Sequence, residues 1–172
     1  MHSTPSGNWD DPIQQPSDTT GDVVAPLSRE RIAAAMQAER WNYLIDDEGD
    51  IGGLLESNLF YFFLYGEANE ILQVRGRWHQ QLPISMRSQV RQALDDWHFS
   101  KIWPKAYTTV DDVGRMWVLA EHSVDWEEGV TDRQLRLTLR CAANTSLSLF
   151  HYLEDQLVTI GPKGDTSLGW RY

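Results

Sequence analysis

The sequence predicts an α+β fold, in which three helices pack on an antiparallel five-stranded sheet in the order α-β-β-β-α-β-β-α. Three observations predict it. Apolar residues recur at helical spacing in three stretches that follow residues typical of helix N-termini. Other stretches alternate apolar and polar residues, as half-buried strands do, and Asp- and Gly-rich turns separate them. The chain of 172 residues is long enough for one domain with its own core.

The first predicted helix begins after Ser28, whose hydroxyl can accept a hydrogen bond from the first turn, and it ends near Arg40. Residues 41–45 are predicted as a strand. The acidic run 46–50 then supplies a turn, because Asp and Gly favour tight turns, and the chain returns through residues 51–55.

Two central strands follow. Residues 59–65 are nearly all apolar or aromatic, which predicts a strand covered on both faces. Residues 70–80 alternate cleanly, with Leu72 and Val74 on one face and Arg75 and Arg77 on the other. The second segment is therefore predicted to be a half-exposed antiparallel strand.

The second helix is predicted to be capped by Ser85 and to run to about residue 98. A short strand over residues 107–110 and a longer one over residues 115–126 come next. Met116 and Val118 mark the inward face of the longer strand.

The last helix is predicted to be the longest element. Thr131 and Gln134 have the spacing of a capping box, and apolar residues recur from there to about residue 157. The domain is thus predicted to span residues 27–157, with a short C-terminal tail over residues 158–172.

The N-terminal segment, residues 1–26, carries four Pro residues among Ser, Thr, Asp and Gln and has no apolar periodicity. Such a segment cannot offset its ordering entropy, and it is predicted to be disordered. Trp9 within it has one alternative role, as a short docking element.

Composition limits the partners. The formal net charge is −10, from 25 acidic and 15 basic residues, so binding to nucleic acid is disfavoured by repulsion from the phosphate backbone. Cys141 is the one cysteine, which excludes an intramolecular disulfide and fits a reducing compartment. We see neither a secretory signal nor an apolar run long enough for a membrane span, and we expect a cytoplasmic protein without a membrane partner.

No motif for a metal or nucleotide is recognisable. Residues 46–50 lack the Gly and Glu positions of a calcium loop, and residues 161–166 contain the letters of a phosphate loop in the wrong order. The histidines lie on different elements without the spacing of paired metal ligands. We therefore expect neither a metal nor a cofactor.

The sequence also contains no recognisable catalytic motif. There is no nucleophile elbow, and Cys141 falls within the last predicted helix, near its buried stripe. The acidic pairs at residues 95–96 and 111–112 border helix ends or turns, where carboxylates are ordinary solvated groups. We expect no catalytic residues.

Four residues are candidates for binding a partner. Arg75 and Arg77 lie on one predicted strand face, and Trp117 and Leu119 project from the last strand opposite its inward stripe. If helices cover one side of the sheet, these residues occupy the other side. Exposed Arg and Trp are typical anchors of interfaces. Intramolecular salt bridges or a helix folded over this face are the alternatives.

The landmarks 41–43, 47–51, 60–66, 70–78 and 103–107 resemble, in order and in their aromatic and glycine residues, the YbjN-domain family, described as bacterial sensory-transduction regulators. The resemblance covers residues 27–157. It implies a fold like that of the type III secretion chaperones, and a homodimer that binds protein segments, with no catalytic residues to carry over. Similarity of fold is an analogy for function.

The resulting hypothesis is a non-enzymatic, cytoplasmic protein-binding or regulatory domain. One alternative is a secretion-chaperone-like binder of an extended client segment. The other is a small-molecule-binding protein or an enzyme with an unrecognised site across the strands. A homodimer is predicted for two reasons. The aromatic strand 59–65 is apolar on both faces, so both faces should be buried, and three helices are too few to cover both sides of the sheet.

Overall fold

The computed structural model describes residues 22–157. The predicted C-terminal tail, and residues 1–21 of the predicted N-terminal tail, lie outside this range. Residues 22–26 lie inside it and have contacts with the domain. Ala25 forms an antiparallel bridge with Val130, and the Asp22 carboxylate accepts a hydrogen bond from the Arg133 backbone N–H at 3.3 Å.

Residues 22–157 contain three α-helices, as predicted: α1 (Arg29–Ala38), α2 (Arg87–Ser100) and α3 (Asp132–Gln156). The Ser28 hydroxyl caps α1 by accepting from the Arg31 backbone N–H. Thr131 and Gln134 form the predicted capping box at the start of α3. A single turn of 3-10 helix, Ile84–Met86, precedes α2.

All the strands in the described range belong to one antiparallel sheet. They are β1 (Leu44–Ile45), β2 (Ile51–Leu55), β3 (Asn58–Tyr65), β4 (Ile71–Arg77), β5 (Leu82–Pro83), β6 (Lys105–Val110) and β7 (Arg115–Asp125). The first four strands are neighbours in chain order, and β4 then pairs with β7. β5 pairs with the same edge of β7 beyond the end of β4, and β6 pairs with the opposite edge.

The predicted count of five strands is wrong, since the sheet has seven strands within residues 22–157. The five longer strands are those of the predicted order. The other two, β1 and β5, have two residues each, which is too short for an alternating pattern to reveal them.

Two local predictions are also wrong. Residues 41–43 are not in the strand predicted over 41–45, because Arg40 adopts a positive φ of 58° and the Trp41 N–H donates back to the carbonyl of Met36. The chain therefore leaves α1 by a tight turn. Ser85 does not cap α2, since it lies within the preceding 3-10 turn and the residue at the N-cap, Met86, makes no side-chain hydrogen bond.

The main core lies between the helices and one face of the sheet. It combines inward residues of the strands, such as Phe60, Phe62, Val74 and Val118, with apolar residues of all three helices. The alternation predicted for residues 70–80 and 115–126 is confirmed, because Leu72, Trp78, Met116 and Ala120 all belong to this core. This arrangement leaves the other face of the sheet without a helix from the described part of the chain.

Candidate functional site

The face of the sheet opposite the helices is the candidate site, and we call it the open face. Strand register places on it the residues that alternate with the core set: Leu44, Leu54, Leu59, Tyr61, Phe63, Tyr65, Ile71, Gln73, Arg75, Arg77, Lys105, Tyr107, Thr109, Arg115, Trp117, Leu119, Glu121, Ser123 and Asp125. Three of the four candidate residues, Arg75, Arg77 and Trp117, are half-buried here.

The fourth candidate, Leu119, also projects from β7 opposite the inward stripe, as predicted. Its side chain is on the open face but only 6% exposed. Leu119 pairs with Arg77 on one side and with Tyr107 on the other, so long neighbouring side chains flank it. Leu119 therefore forms part of the buried floor of the open face.

The aromatic strand β3 is covered on both sides, but not in the way the sequence suggested. Phe60 and Phe62 enter the main core, while Leu59 and Phe63 face the other way and are still only 6% and 7% exposed. Tyr61 stacks on Phe63 at 5.3 Å between centroids, and the Arg75 guanidinium lies 5.1 Å from the Phe63 centroid. Side chains of the same face thus cover this strand, without a second subunit.

A charged cluster lies at the middle of the open face, around Glu121. The Arg75 Nε donates to Glu121 Oε1 at 2.8 Å, the Tyr107 hydroxyl donates to the same oxygen, and the Lys105 Nζ lies 3.5 Å from Oε2. Arg75 also donates to Gln73 Oε1 at 2.8 Å. The cluster therefore links β4, β6 and β7 across the surface of the sheet.

The environment changes the acidity of two members of this cluster. Burial alone would raise the pKa of Glu121, but the hydrogen bonds from Tyr107 and Arg75 and the nearby positive charges outweigh it and lower that pKa. Burial, together with the hydrogen bond to Glu121, raises the pKa of Tyr107 to about 12. Near neutral pH the cluster thus contains an ionised carboxylate and a protonated phenol.

Trp117 and Arg77 form a second cluster beside the first. The guanidinium carbon of Arg77 lies 4.4 Å from the centroid of the Trp117 ring, a cation–π contact. The Trp117 Nε1–H donates to Asp111 Oδ2 at 3.4 Å, and the Arg115 Nε donates to the same oxygen at 2.6 Å. Burial, and then the nearby charge of Arg115, lower the pKa of Arg77.

The open face carries charges of both signs. Four cations, Arg75, Arg77, Lys105 and Arg115, lie there together with the carboxylates of Glu121, Asp111 and Asp125. The rings of buried Phe63 and half-buried Trp117 and Tyr107 lie beside these cations. Such a surface can bind a segment that carries both carboxylates and an apolar or aromatic side chain.

A different apolar patch lies at the end of α2, and the sequence analysis missed it. Phe99 is 96% exposed, Ile102 is 87% exposed, and Trp103 is 49% exposed with one edge against His122. We call these three residues the α2 patch. Its signal in the sequence is the cluster of large apolar residues beyond the end of the helical stripe.

The other candidate metal-binding and ionisable side chains do not come together in one site. Within residues 22–157, no group of three or more His, Cys, Asp or Glu side chains is placed to hold a metal ion. An open cavity of 580 Å³ lies between α2 and the end of α3, and Asp96 is its ionisable lining residue. None of the helices in the described range has the length and apolar character needed to cross a bilayer.

The four histidines of the domain lie apart. His98 Nε2 accepts from the Ala106 N–H, His79 contacts Asn58, and His151 lies 2.8 Å from a Glu56 oxygen. His122 is buried, which lowers its pKa. They are packing and hydrogen-bonding residues spread over the fold.

Comparison with known proteins gives a family and a fold. Residues 28–155 match the family model "YbjN: Putative bacterial sensory transduction regulator". The solved structure of YbjN, a putative transcription regulator from E. coli, superposes with a TM-score of 0.67 at 10% identity, covering 77% of this chain and 95% of that one. No curated protein matches the sequence.

Two further solved structures are more distant. One is an uncharacterised protein from Methanothermobacter thermautotrophicus, with a TM-score of 0.49 at 11% identity, covering 76% of this chain and 99% of that chain. The other belongs to the HopA1–SchA chaperone–effector complex, with a TM-score of 0.46 at 15% identity, covering 73% of this chain and 96% of that chain.

Proposed function

The chain belongs to the YbjN family, and from that premise we propose that it is a non-enzymatic regulatory domain that binds another protein through its open face. The observation that carries the proposal is the surface of that face. Half-buried Arg75, Arg77 and Trp117 stand over a buried apolar floor of Leu59, Phe63 and Leu119. Arg and Trp in such a setting are the residue types that most often dominate binding energy at interfaces.

The shape of the face favours an extended segment as the ligand. It is a sheet surface with rows of side chains along β3, β4, β7 and β6, so a strand-like segment can lie across successive rows. Binding an extended client is the chaperone-like form of the same proposal. The single cysteine, Cys141, fits a reducing compartment, and we place the activity in the cytoplasm.

A homodimer is part of the proposal, but through the α2 patch and not through the open face. Face-to-face pairing of two open faces would cover the surface that is proposed to bind the partner. The α2 patch has exposed Phe99 and Ile102 side chains, which gain from burial against apolar surface. A dimer formed there leaves the open face accessible.

The test is affinity capture from the native cytoplasm with three forms of the full chain. The wild type is compared with the double variant Arg77→Gln, Trp117→Ser and with Arg91→Gln, an exposed α2 residue whose contact is a surface pair with Asp95 at 3.8 Å. We expect some proteins to be captured by the wild type and by Arg91→Gln but not by the double variant Arg77→Gln, Trp117→Ser. If the three forms retain the same proteins, the open face is not the binding surface.

A further inference from the structure

The open cavity of about 580 Å³ between α2 and the end of α3 lies on the helix side of the sheet, away from the open face. We propose that its occupant is a segment of the same chain, residues 168–172, Leu-Gly-Trp-Arg-Tyr, with the Trp170 indole in the cavity and the Arg171 guanidinium on Asp96. A ligand or a partner of this cavity has to displace the segment. Its docking is independent of the open face and of what binds there.

The lining of the cavity combines apolar and polar side chains. Met86, Ala93 and Leu157 supply its apolar surface. The polar lining consists of the Asp96 carboxylate, one hydroxyl and three amides: Ser88, Gln89, Gln92 and Gln156. The volume is within the ~300–1,000 Å³ of pockets that enclose small ligands. An indole suits such a lining, because its ring needs apolar contacts and its N–H needs one acceptor.

Several polar groups of this lining lack a partner in the domain. Within residues 22–157, Ser88, Gln89 and Gln156 make no side-chain hydrogen bond. The Asp96 carboxylate accepts a hydrogen bond from the Gln92 Nε2 at 3.0 Å, and no Lys, Arg or His side chain of the described range is paired with it. A guanidinium on Asp96 forms a charge-assisted hydrogen bond there, and an indole N–H is satisfied by a hydroxyl or amide oxygen.

The two ends of the chain differ in the residues they offer to this cavity. Residues 158–172 contain Trp170 next to Arg171, whereas residues 1–21 contain Trp9 next to Asp10 and have no Lys or Arg. The Asp96 carboxylate therefore attracts the charge beside Trp170 and repels the charge beside Trp9. This contrast selects the C-terminal segment as the occupant.

The C-terminal segment also begins at the cavity itself. Leu157, the last described residue, lines the cavity and leaves α3 with extended backbone angles, φ −106° and ψ 104°. The N-terminal segment instead joins the domain at Asp22, whose carboxylate accepts a hydrogen bond from the Arg133 N–H in the first turn of α3. From Arg133 to Leu157 the helix spans about 36 Å, at 1.5 Å per residue. The short tether gives residues 168–172 the higher effective concentration at the cavity.

The chain between Leu157 and Trp170 has the length and the turn residues to return to the cavity. Its 13 residues can extend about 43 Å at 3.3 Å per residue, whereas Ser88 and Asp96 are about 12 Å apart along α2. The chain therefore has to double back and not to stretch. Gly161-Pro162 and Lys163-Gly164 are residue pairs that favour turns.

The test uses the methionine methyl signals of the full chain, labelled with carbon-13. The described range contains three methionines: Met86 lines the cavity, and Met36 and Met116 are buried in the main core. An indole beside Met86 shifts its methyl signal through the ring current. We expect Trp170→Ala to move the Met86 signal and to leave the Met36 and Met116 signals in place. Arg171→Gln and Asp96→Asn should each move the Met86 signal part of the way in the same direction.

Matched variants and a mixing experiment define the occupant. Trp9→Ala removes the tryptophan of the other segment, and Lys163→Gln removes the other cation of residues 158–172, so neither should move the Met86 signal. Labelled Trp170→Ala chain is then mixed with unlabelled wild type. The Met86 signal should keep the position that Trp170→Ala gives it, because the segment binds within its own chain.

Three results would overturn this assignment. A Met86 signal that Trp170→Ala leaves unchanged would mean that the segment does not occupy the cavity. A return of the signal toward its wild-type position on mixing would identify a second copy as the source of the segment. Movement by Trp9→Ala and not by Trp170→Ala would assign the cavity to the N-terminal segment. None of these results bears on whether the open face binds partners, which the capture experiment decides separately.

Discussion

The Arg77 guanidinium carbon lies 4.4 Å from the centroid of the Trp117 ring, although 40 residues separate the two in the chain. Arg77 pairs directly with Leu119, so Trp117 is its diagonal neighbour on the adjacent strand. The contact brings together two of the four predicted binding residues, Arg77 and Trp117, above a third, Leu119. It orders this part of the open face.

The coupling between these two residues is measurable. We expect a double-mutant cycle with Arg77→Gln and Trp117→Leu to give a coupling energy of about 0.5–1 kcal/mol, the range of a partly exposed cation–π pair. Denaturant unfolding of the four forms supplies the value. Arg91→Gln combined with Trp117→Leu serves as the control pair, and its effects should be additive. A coupling energy near zero for Arg77 and Trp117 would mean that the contact contributes nothing to stability.

The open face also shows how far the sequence can be interpreted without a structure. Alternation assigned Arg75, Arg77 and Trp117 to one side of the sheet, because the period of a strand is local information. The burial of Leu119 was not predictable, since it depends on which residues of β4 and β6 stand opposite it. Register between distant strands is set by the whole fold.

The Glu121 cluster was missed for the same reason. Its members come from three strands, and the Arg75–Glu121 contact spans 46 residues of sequence. Glu121 in the sequence is an ordinary polar residue of an alternating strand. The order of the longer elements and the capping box at Thr131 were predictable because local spacing defines them, whereas the two-residue strands β1 and β5 depend on tertiary pairing.

The Glu121 carboxylate should stabilise the fold in a pH-dependent way. Its pKa in the folded protein lies below the usual value of 4.5, so its contribution is complete above pH 4.5 and is lost as pH falls through the lower, folded-state pKa. We expect Glu121→Gln to lower the free energy of unfolding by about 1–3 kcal/mol at pH 7. The difference between variant and wild type should shrink in acid.

This expectation is tested by unfolding curves measured from pH 7 down to the lowest pH at which the protein is still folded. Glu128→Gln is the matched control, because Glu128 is exposed in the turn after β7 and its replacement should leave the curve unchanged. A destabilisation by Glu121→Gln that is the same at every pH would show that packing, and not charge, accounts for the effect.

Gly76 should tolerate no side chain. It lies on the core side of β4, where an added Cβ would be 2.7 Å from Phe60 Cε1 and 3.3 Å from Phe150 Cε2. Those two rings pack 6.3 Å apart between centroids, so neither can move freely. We expect Gly76→Ala to cost about 1–3 kcal/mol of stability, as overpacking does.

A second substitution tests whether the clash with Phe60 causes that loss of stability. Phe60→Leu removes the ring that the new methyl group would meet, so Gly76→Ala should cost less in the Phe60→Leu background than in the wild type. Thermal or denaturant unfolding of the four forms gives the comparison. An equal cost in both backgrounds would assign the effect to the backbone and not to the clash.

The last prediction concerns the oligomeric state. The exposure of Phe99 and Ile102 places two large apolar side chains in water, and their burial against a second copy would contribute about 1.5–3 kcal/mol for each fully buried side chain. We therefore expect light scattering over a wide concentration range to show a dimer for the wild type.

Phe99→Glu should shift it to monomer, since a dimer would then bury an unpaired carboxylate. Trp117→Glu, which places the same charge on the open face, should leave the dimer intact. A monomer mass at the highest concentration would exclude the dimer. A dimer that Trp117→Glu breaks while Phe99→Glu does not would move the interface to the open face.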